Sequence, residues 1–190
     1  MKSLCSALPK LILASQSPAR KRILEDEGIN VIVLPTHTDE TISTPCPQER
    51  VRLLSLRKLQ TFLSQHAEPS LPVLCCDTLV IIDGRFIGKA KDRTEAYDQL
   101  SLFSGRRQSV ASGWALYRGG RILSGSDEAF VTFRPLTKDE IETYLDTGEW
   151  MGAAGSYRIQ EAGSRLVSLV EGDINTVVGL PLLRIKEALL

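Results

Sequence analysis

The sequence predicts an α/β fold, a mixed β-sheet flanked by helices in one continuous unit over residues 1–190. Three observations carry this reading. Short apolar runs alternate with helix-like segments through the first half, the pattern of parallel strands joined by crossovers. Two long strand-like segments meeting at Gly119-Gly120 dominate the second half, the mark of a hairpin. No repeat, low-complexity tract or Pro/Gly/Ser-rich linker interrupts the chain.

Leu11-Ile12-Leu13-Ala14 is fully apolar and suits a buried strand. Ser17 can cap a helix whose first turn accepts Pro18, and Gly28 is a natural stop. Asn30 to Leu34 carries β-branched residues and reads as a second strand. Pro35 to Pro47 is a loop carrying Asp39 and Glu40. Val51, Leu54, Leu59 and Leu63 recur at helical spacing within 48–66, and Pro69 and Pro72 close that segment. Paired strands follow around Asp77, with Asp83-Gly84 as their turn. Asp92 to Glu95 resembles a capping box opening a helix to Phe103, and Thr137-Lys138-Asp139-Glu140 is a clean one before a helix to Asp146. The Gly- and Ala-rich stretch 148–163 reads as a loop that lets backbone approach a ligand. Leu166 to Val170 is a last strand, and Pro181 opens a C-terminal amphipathic helix.

Composition narrows the function. The chain holds 23 basic and 23 acidic residues, so its formal net charge is zero. That balance argues against a nucleic-acid partner. Its apolar runs are too short to cross a bilayer, and the N-terminus shows no secretory cleavage pattern, so a cytoplasmic protein without a membrane partner is expected. Cys5, Cys46, Cys75 and Cys76 form no C-x-x-C pair, and only His37 and His66 accompany them, which disfavours structural zinc.

Asp77 is the most informative residue. It lies between the apolar runs 71–76 and 79–82, where burying a carboxylate is costly unless it is paired or binds a metal. A capping or turn role is its plainer alternative. Ser15-Gln16-Ser17-Pro18 joins a strand to a helix start, where free amides and two hydroxyls can receive a phosphate, with Arg20 just inside. An ordinary N-cap would read the same way. Asp39-Glu40 alone is a solvated acidic turn; with Asp77 it can supply oxygen ligands to Mg²⁺. Lys58 lies inside an otherwise apolar stretch, and Lys89 follows Ile87-Gly88. Together these suggest metal-assisted chemistry on a phosphorylated small molecule.

Ser15-Gln16-Ser17-Pro18, Asp39-Glu40, Lys58, Asp77-Thr78, Gly88-Lys89, Ser104-Gly105-Arg106, Ala154-Gly155-Ser156-Tyr157-Arg158-Ile159-Gln160 and Val177-Val178-Gly179-Leu180-Pro181 occur in that order. In this the chain resembles the Maf family of nucleoside triphosphate pyrophosphatases, sometimes called septum-formation inhibitors. The resemblance covers nearly the whole chain. It implies an elongated mixed sheet with helices and a deep cleft, similar to inosine triphosphate pyrophosphatases. It also implies a homodimer and hydrolysis of a nucleoside triphosphate, dTTP, UTP or a modified nucleotide among the candidates, to the monophosphate and pyrophosphate with Mg²⁺ or Mn²⁺. Asp77 matches the family's proposed general base, and Glu40, Lys58 and Lys89 match its catalytic-site residues. Thr78 and Gln160 match positions tied to base selection in the branch that prefers dTTP and UTP. Three positions depart from the family pattern. Ala19 stands where an arginine tied to substrate choice is usual, Glu161 replaces a glycine, and Arg107-Gln108 stands where a histidine is common.

The residue types suit the reaction. Lys58, Lys89, Arg20, Ser15 and Ser17 can hold phosphates; Glu40 and Asp77 can hold the metal and orient water; Thr78 and Gln160 can bond a base edge. Two other readings compete. One is a non-catalytic nucleotide-binding regulator of cell division acting through a protein partner. The other is a thiol enzyme using Cys75 or Cys76.

Overall fold

The computed structural model describes residues 3–42, 44–66 and 68–189. It holds a seven-stranded mixed sheet with helices packed on it, as expected. The strands are β1 (Lys10–Leu13), β2 (Asn30–Val33), β3 (Val73–Ile82), β4 (Arg85–Ile87), β5 (Arg107–Arg118), β6 (Arg121–Phe133) and β7 (Val167–Glu171). Their order is β2-β1-β3-β5-β6-β7, and β4 pairs with β3. β1 is parallel to both β2 and β3, while β4 and β7 pair antiparallel with β3 and β6. The helices are α1 (Leu4–Ala7), α2 (Pro18–Asp26), α3 (Pro47–Gln65), α4 (Arg93–Phe103), α5 (Lys138–Asp146), α6 (Ile174–Val178) and α7 (Leu182–Leu189).

The chain divides into two compact units. The first comprises Met1–Asp77, Ser112–Asp127 and Gly179–Leu190; the second comprises Thr78–Ala111 and Glu128–Val178.

In the first unit, strand alternation sorts the core into two layers. Leu11 and Leu13 of β1, Leu74 and Cys76 of β3, and Trp114 and Leu116 of β5 point to one face, where Leu4, Leu24, Leu182 and Ile185 of α1, α2 and α7 cover them. The intervening residues Val73, Cys75 and Ala115, with Ala14 after β1, point to the other, under Leu59 and Phe62 of α3. Successive strand residues face opposite ways, so Asp77 shares the α3 face with Cys75. α3 lies very close to the sheet. A Cβ on Gly113 would sit 2.3 Å from the carbonyl carbon and oxygen of Val51, so only glycine lets helix backbone and strand approach there.

The second unit packs Val80 and Ile82 of β3, Val110, Val131 and Phe133 of the sheet, and Leu100, Phe103, Ile141 and Leu145 of α4 and α5 into one core. Phe103, Phe133 and Tyr157 meet edge to face, with ring centroids 5.0 to 6.3 Å apart. The β3–β4 turn forms where expected. Asp83 and Gly84 both have positive φ, 51° and 72°, as a tight hairpin turn with the twist of its strands requires. Thr137 and Glu140 form the full reciprocal capping box. Asp92 caps α4 by accepting from the Glu95 amide, whereas the Glu95 carboxylate accepts from the Lys91 amide instead of completing the box.

Differences from the sequence reading are local. α1 and α6, of four and five residues, carry too few turns to show a period. Leu166 ends a 3₁₀ turn, Ala162–Leu166, and β7 begins at Val167. β2 is an edge strand, and Ile32, Val33 and Leu34 are more than a third exposed.

Candidate active site

Three of the predicted site residues meet in the first unit. Lys58 projects from α3 and places its Nζ 2.5 Å from Asp77 Oδ1 and 2.8 Å from Glu40 Oε1. The Asp77 side chain is 9% exposed, that of Lys58 14%, and that of Glu40 62%, so the cluster grades from a buried base to an open rim. Burial alone would lower the Lys58 pKa. The Asp77 charge, its hydrogen bond and the bonds from Glu40 outweigh it and hold the amine above its ordinary value, so Lys58 stays an ammonium.

The loop carrying Glu40 is fastened to α3 at three successive points. Thr38 and Thr61 share a hydroxyl hydrogen bond of 2.9 Å. Arg57 Nη1 donates to the carbonyls of Asp39, at 3.1 Å, and Thr41, at 2.7 Å. Lys58 then holds the Glu40 carboxylate. The Thr41 amide also donates to Asp39 Oδ1, a local turn. Arg57 and Thr61 escaped sequence analysis. No sequence signal singled them out, because polar residues recur all along α3.

The turn before α2 is built as expected. Ser17 is the N-cap, its Oγ accepting from the Arg20 amide, and Ser15 Oγ accepts from the Ser17 amide. Arg20 does more than sit just inside the helix. Its Nε donates to Gly179 O at 2.8 Å, and its Nη1 donates to Cys76 O at 3.2 Å and Ser15 Oγ at 3.1 Å. The guanidinium thus ties the Ser15–Ser17 turn to the middle of β3 at Cys76, the residue before Asp77, and to the segment leading into α7. Ala19 is half-buried in the first turn of α2.

Lys89, Thr78 and Gln160 belong to the second unit. Thr78 follows Asp77 on β3 and is half-buried; Lys89 and Gln160 are exposed. Lys89 forms an isolated antiparallel bridge with Ala154, and the Gly155 amide donates to Gly88 O at 3.0 Å. The 154–160 motif fixes that bridge. Ser156, fully buried at a positive φ of 60°, donates to Gln99 Oε1 at 2.7 Å, and Arg158 donates to the carbonyls of Glu149 and Met151. Arg106 has a structural partner as well, binding both oxygens of Asp83 at 2.6 and 2.7 Å. A cavity of about 250 Å³ in this unit is lined by Arg134, Tyr144, Arg165 and neighbours, none of them a predicted site residue.

The thiols are poor nucleophiles. Burial pushes Cys75 up to about 12 and Cys76 up to about 11, and the nearby Arg20 and Lys58 charges offset it only in part. At neutral pH both stay protonated, which removes the basis of a thiol mechanism.

Glu40 and Asp77 each place a carboxylate oxygen on Lys58 Nζ, and they are the two residues that could hold a cation here. No group of three or more His, Cys, Asp or Glu side chains suited to a metal occurs among the described residues. Carboxylate oxygens are the donor type that Mg²⁺ or Mn²⁺ takes, whereas structural zinc takes Cys and His. No helix among the described residues is long and apolar enough to cross a membrane.

Comparison with known proteins gives concordant findings. A family model described as Maf-like protein matches residues 10–190. A dTTP/UTP pyrophosphatase of Symbiobacterium thermophilum is 40% identical over 183 residues, covering 96% of this chain and 93% of that protein. A dTTP/UTP pyrophosphatase of Halalkalibacterium halodurans is 41% identical over 180 residues, 94% of each chain. Among solved structures, a nucleoside-triphosphatase / dITP/XTP pyrophosphatase from Mycobacterium abscessus aligns with 65% of this chain and 74% of its own at TM-score 0.37 and 16% identity, too loosely to support an argument.

Proposed function

The chain belongs to the Maf-like protein family, and on that premise we propose that it is a nucleoside triphosphate pyrophosphatase. The single observation that carries the reading is the convergence of Lys58 on Asp77 and Glu40. A pure binding module has no need of a buried carboxylate placed beside a cation. The names of the relatives support dTTP and UTP as substrates, and Ala19, where the family pattern has an arginine, is the position at which a different preference would arise.

In this reading water attacks the α-phosphorus. The new bond joins the water oxygen to phosphorus, the bond from the α-phosphorus to the bridging oxygen breaks, and that electron pair leaves with pyrophosphate. Asp77 takes the proton from the attacking water. Its Oδ1 is held by Lys58, which leaves Oδ2 to accept the proton, and the same hydrogen bond fixes the carboxylate plane. The Ser15–Ser17 turn and the first amides of α2 receive phosphate oxygens, with Arg20 keeping that turn in register with β3, the strand that carries Asp77. The family resemblance assigns Lys89 to phosphate charge and Thr78 and Gln160 to the base edge, and all three lie in the second unit. A divalent cation, when bound, supplies charge neutralisation on the leaving pyrophosphate, and Glu40 and Asp77 are the residues that would hold it.

The test is pyrophosphate release from a panel of canonical and modified nucleoside triphosphates, with Mg²⁺, Mn²⁺ or chelator. The reading expects cation-dependent pyrophosphate with an equal yield of monophosphate. Nucleotide binding without turnover would replace it with a regulatory role.

A further inference from the structure

We propose that Arg57 is the positioning residue for Glu40. Glu40 lies on a loop that is two-thirds exposed at its carboxylate, and a loop of that kind does not hold a side chain in place by packing. Lys58 receives its carboxylate, and the backbone that aims it there is held by Arg57. The Arg57 guanidinium donates to the carbonyl before Glu40, at 3.1 Å, and the carbonyl after it, at 2.7 Å. One nitrogen, Nη1, bonds both carbonyls: it sets the 39–40 peptide plane before Glu40 and the 41–42 plane beyond it, while the Thr41 amide on Asp39 Oδ1 holds the 40–41 plane between them, and together these fix the direction of the Glu40 side chain. Arg57 also stands next to Lys58 on α3, so the group that positions the Glu40 backbone and the group that receives its carboxylate are carried by one rigid helix. The contact with the Asp39 carboxylate is looser, 3.9 Å between exposed groups, and adds little. Thr38–Thr61 anchors the loop one step earlier.

The inference rests on the pyrophosphatase reading for its consequence but not for its geometry, and its test keeps the two apart. Hydrogen exchange of the amides of residues 39–42 is measured in wild type, Arg57→Ala and Arg57→Lys, without metal or nucleotide. Loss of two charge-assisted bonds should speed exchange in that loop by about tenfold in Arg57→Ala, with α3 amides unchanged. Arg57→Lys keeps the charge but loses the reach and the planar orientation of the guanidinium, so it restores protection only in part.

The second arm is a double-mutant cycle on turnover with Glu40→Gln. If Arg57 acts through Glu40, Arg57→Ala lowers kcat/KM and raises the Mg²⁺ concentration for half-maximal activity by about tenfold in wild type, and adds almost nothing in the Glu40→Gln background. Unchanged loop exchange in Arg57→Ala, or an equal loss of activity in both backgrounds, overturns the proposal. If wild type releases no pyrophosphate from any triphosphate, the functional reading fails, and loop exchange alone decides the role of Arg57.

Discussion

Replacing Lys58 with methionine tests the energetic core of the site. Methionine keeps most of the aliphatic stem and removes only the ammonium, so packing against α3 and β3 is nearly preserved. The magnitude follows from exposure. Glu40 is 62% exposed, and the loss of its pair is largely screened. Asp77 is 9% exposed and its partner 14%, so Lys58→Met leaves a carboxylate buried without its cation. Breaking a buried pair in this way costs about 3–5 kcal/mol, and the slight exposure of the lysine points to the lower end, about 3 kcal/mol. For a chain of this size that is a drop of roughly 6–12 °C in Tm. Unfolding by urea and by heat is measured for wild type, Lys58→Met, Asp77→Asn and the double variant. Removing the charge on Asp77 removes the penalty, so the double variant should lie within about 1 kcal/mol of Asp77→Asn alone. The pH dependence has a fixed sign. The folded-state pKa of Lys58 is raised above 10.5, so its contribution is fully present below that value and is lost as pH rises through the folded pKa. The wild-type advantage over Lys58→Met should therefore persist through neutral pH and shrink in strongly alkaline solution. A single variant as stable as wild type, or additive costs in the double, would refute the reasoning.

Three further outcomes are expected. In native protein at neutral pH, a thiol reagent should modify the exposed Cys46 quickly and leave Cys75 and Cys76 untouched until unfolding; fast labelling of all four would contradict their burial. Gly113→Ala forces the α3 backbone off β5 and should cost about 2–3 kcal/mol in urea unfolding, with a fall in kcat because α3 carries Lys58; a neutral substitution would show that the 2.3 Å approach relaxes freely. Ala19→Arg should shift relative kcat/KM toward dTTP and UTP across a nucleotide panel, and an unchanged ranking would remove position 19 from base selection.

Elements with a strong local signal were legible in the sequence. The α3 spacing, the Thr137–Glu140 box and the Asp83–Gly84 turn each depend on residues a few positions apart, and each formed in place. Asp77 was legible because a charge between two apolar runs demands a partner. That Lys58 is this partner could be suspected only from its apolar surroundings; the contact joins residues 19 apart on different elements. Arg57 and Gly113 were not legible, because their roles depend on where a loop and a strand cross α3. The same holds for Arg20. As a sequence feature it reads as a phosphate ligand, and only the folded chain shows its bonds to Gly179 and Cys76. Short elements such as α1 and α6 and the exposed edge of β2 were missed, since four or five residues show no period and no strand reports its own neighbours.

The most direct test of the central claim is turnover of dTTP in oxygen-18 water by wild type and Asp77→Asn, with products separated by mass. Attack on the α-phosphorus predicts one labelled oxygen in the monophosphate and none in pyrophosphate. It also predicts a rate at least about a hundredfold lower in Asp77→Asn, with the fold retained. Label in pyrophosphate, release of orthophosphate, or an undiminished rate in Asp77→Asn would contradict the account.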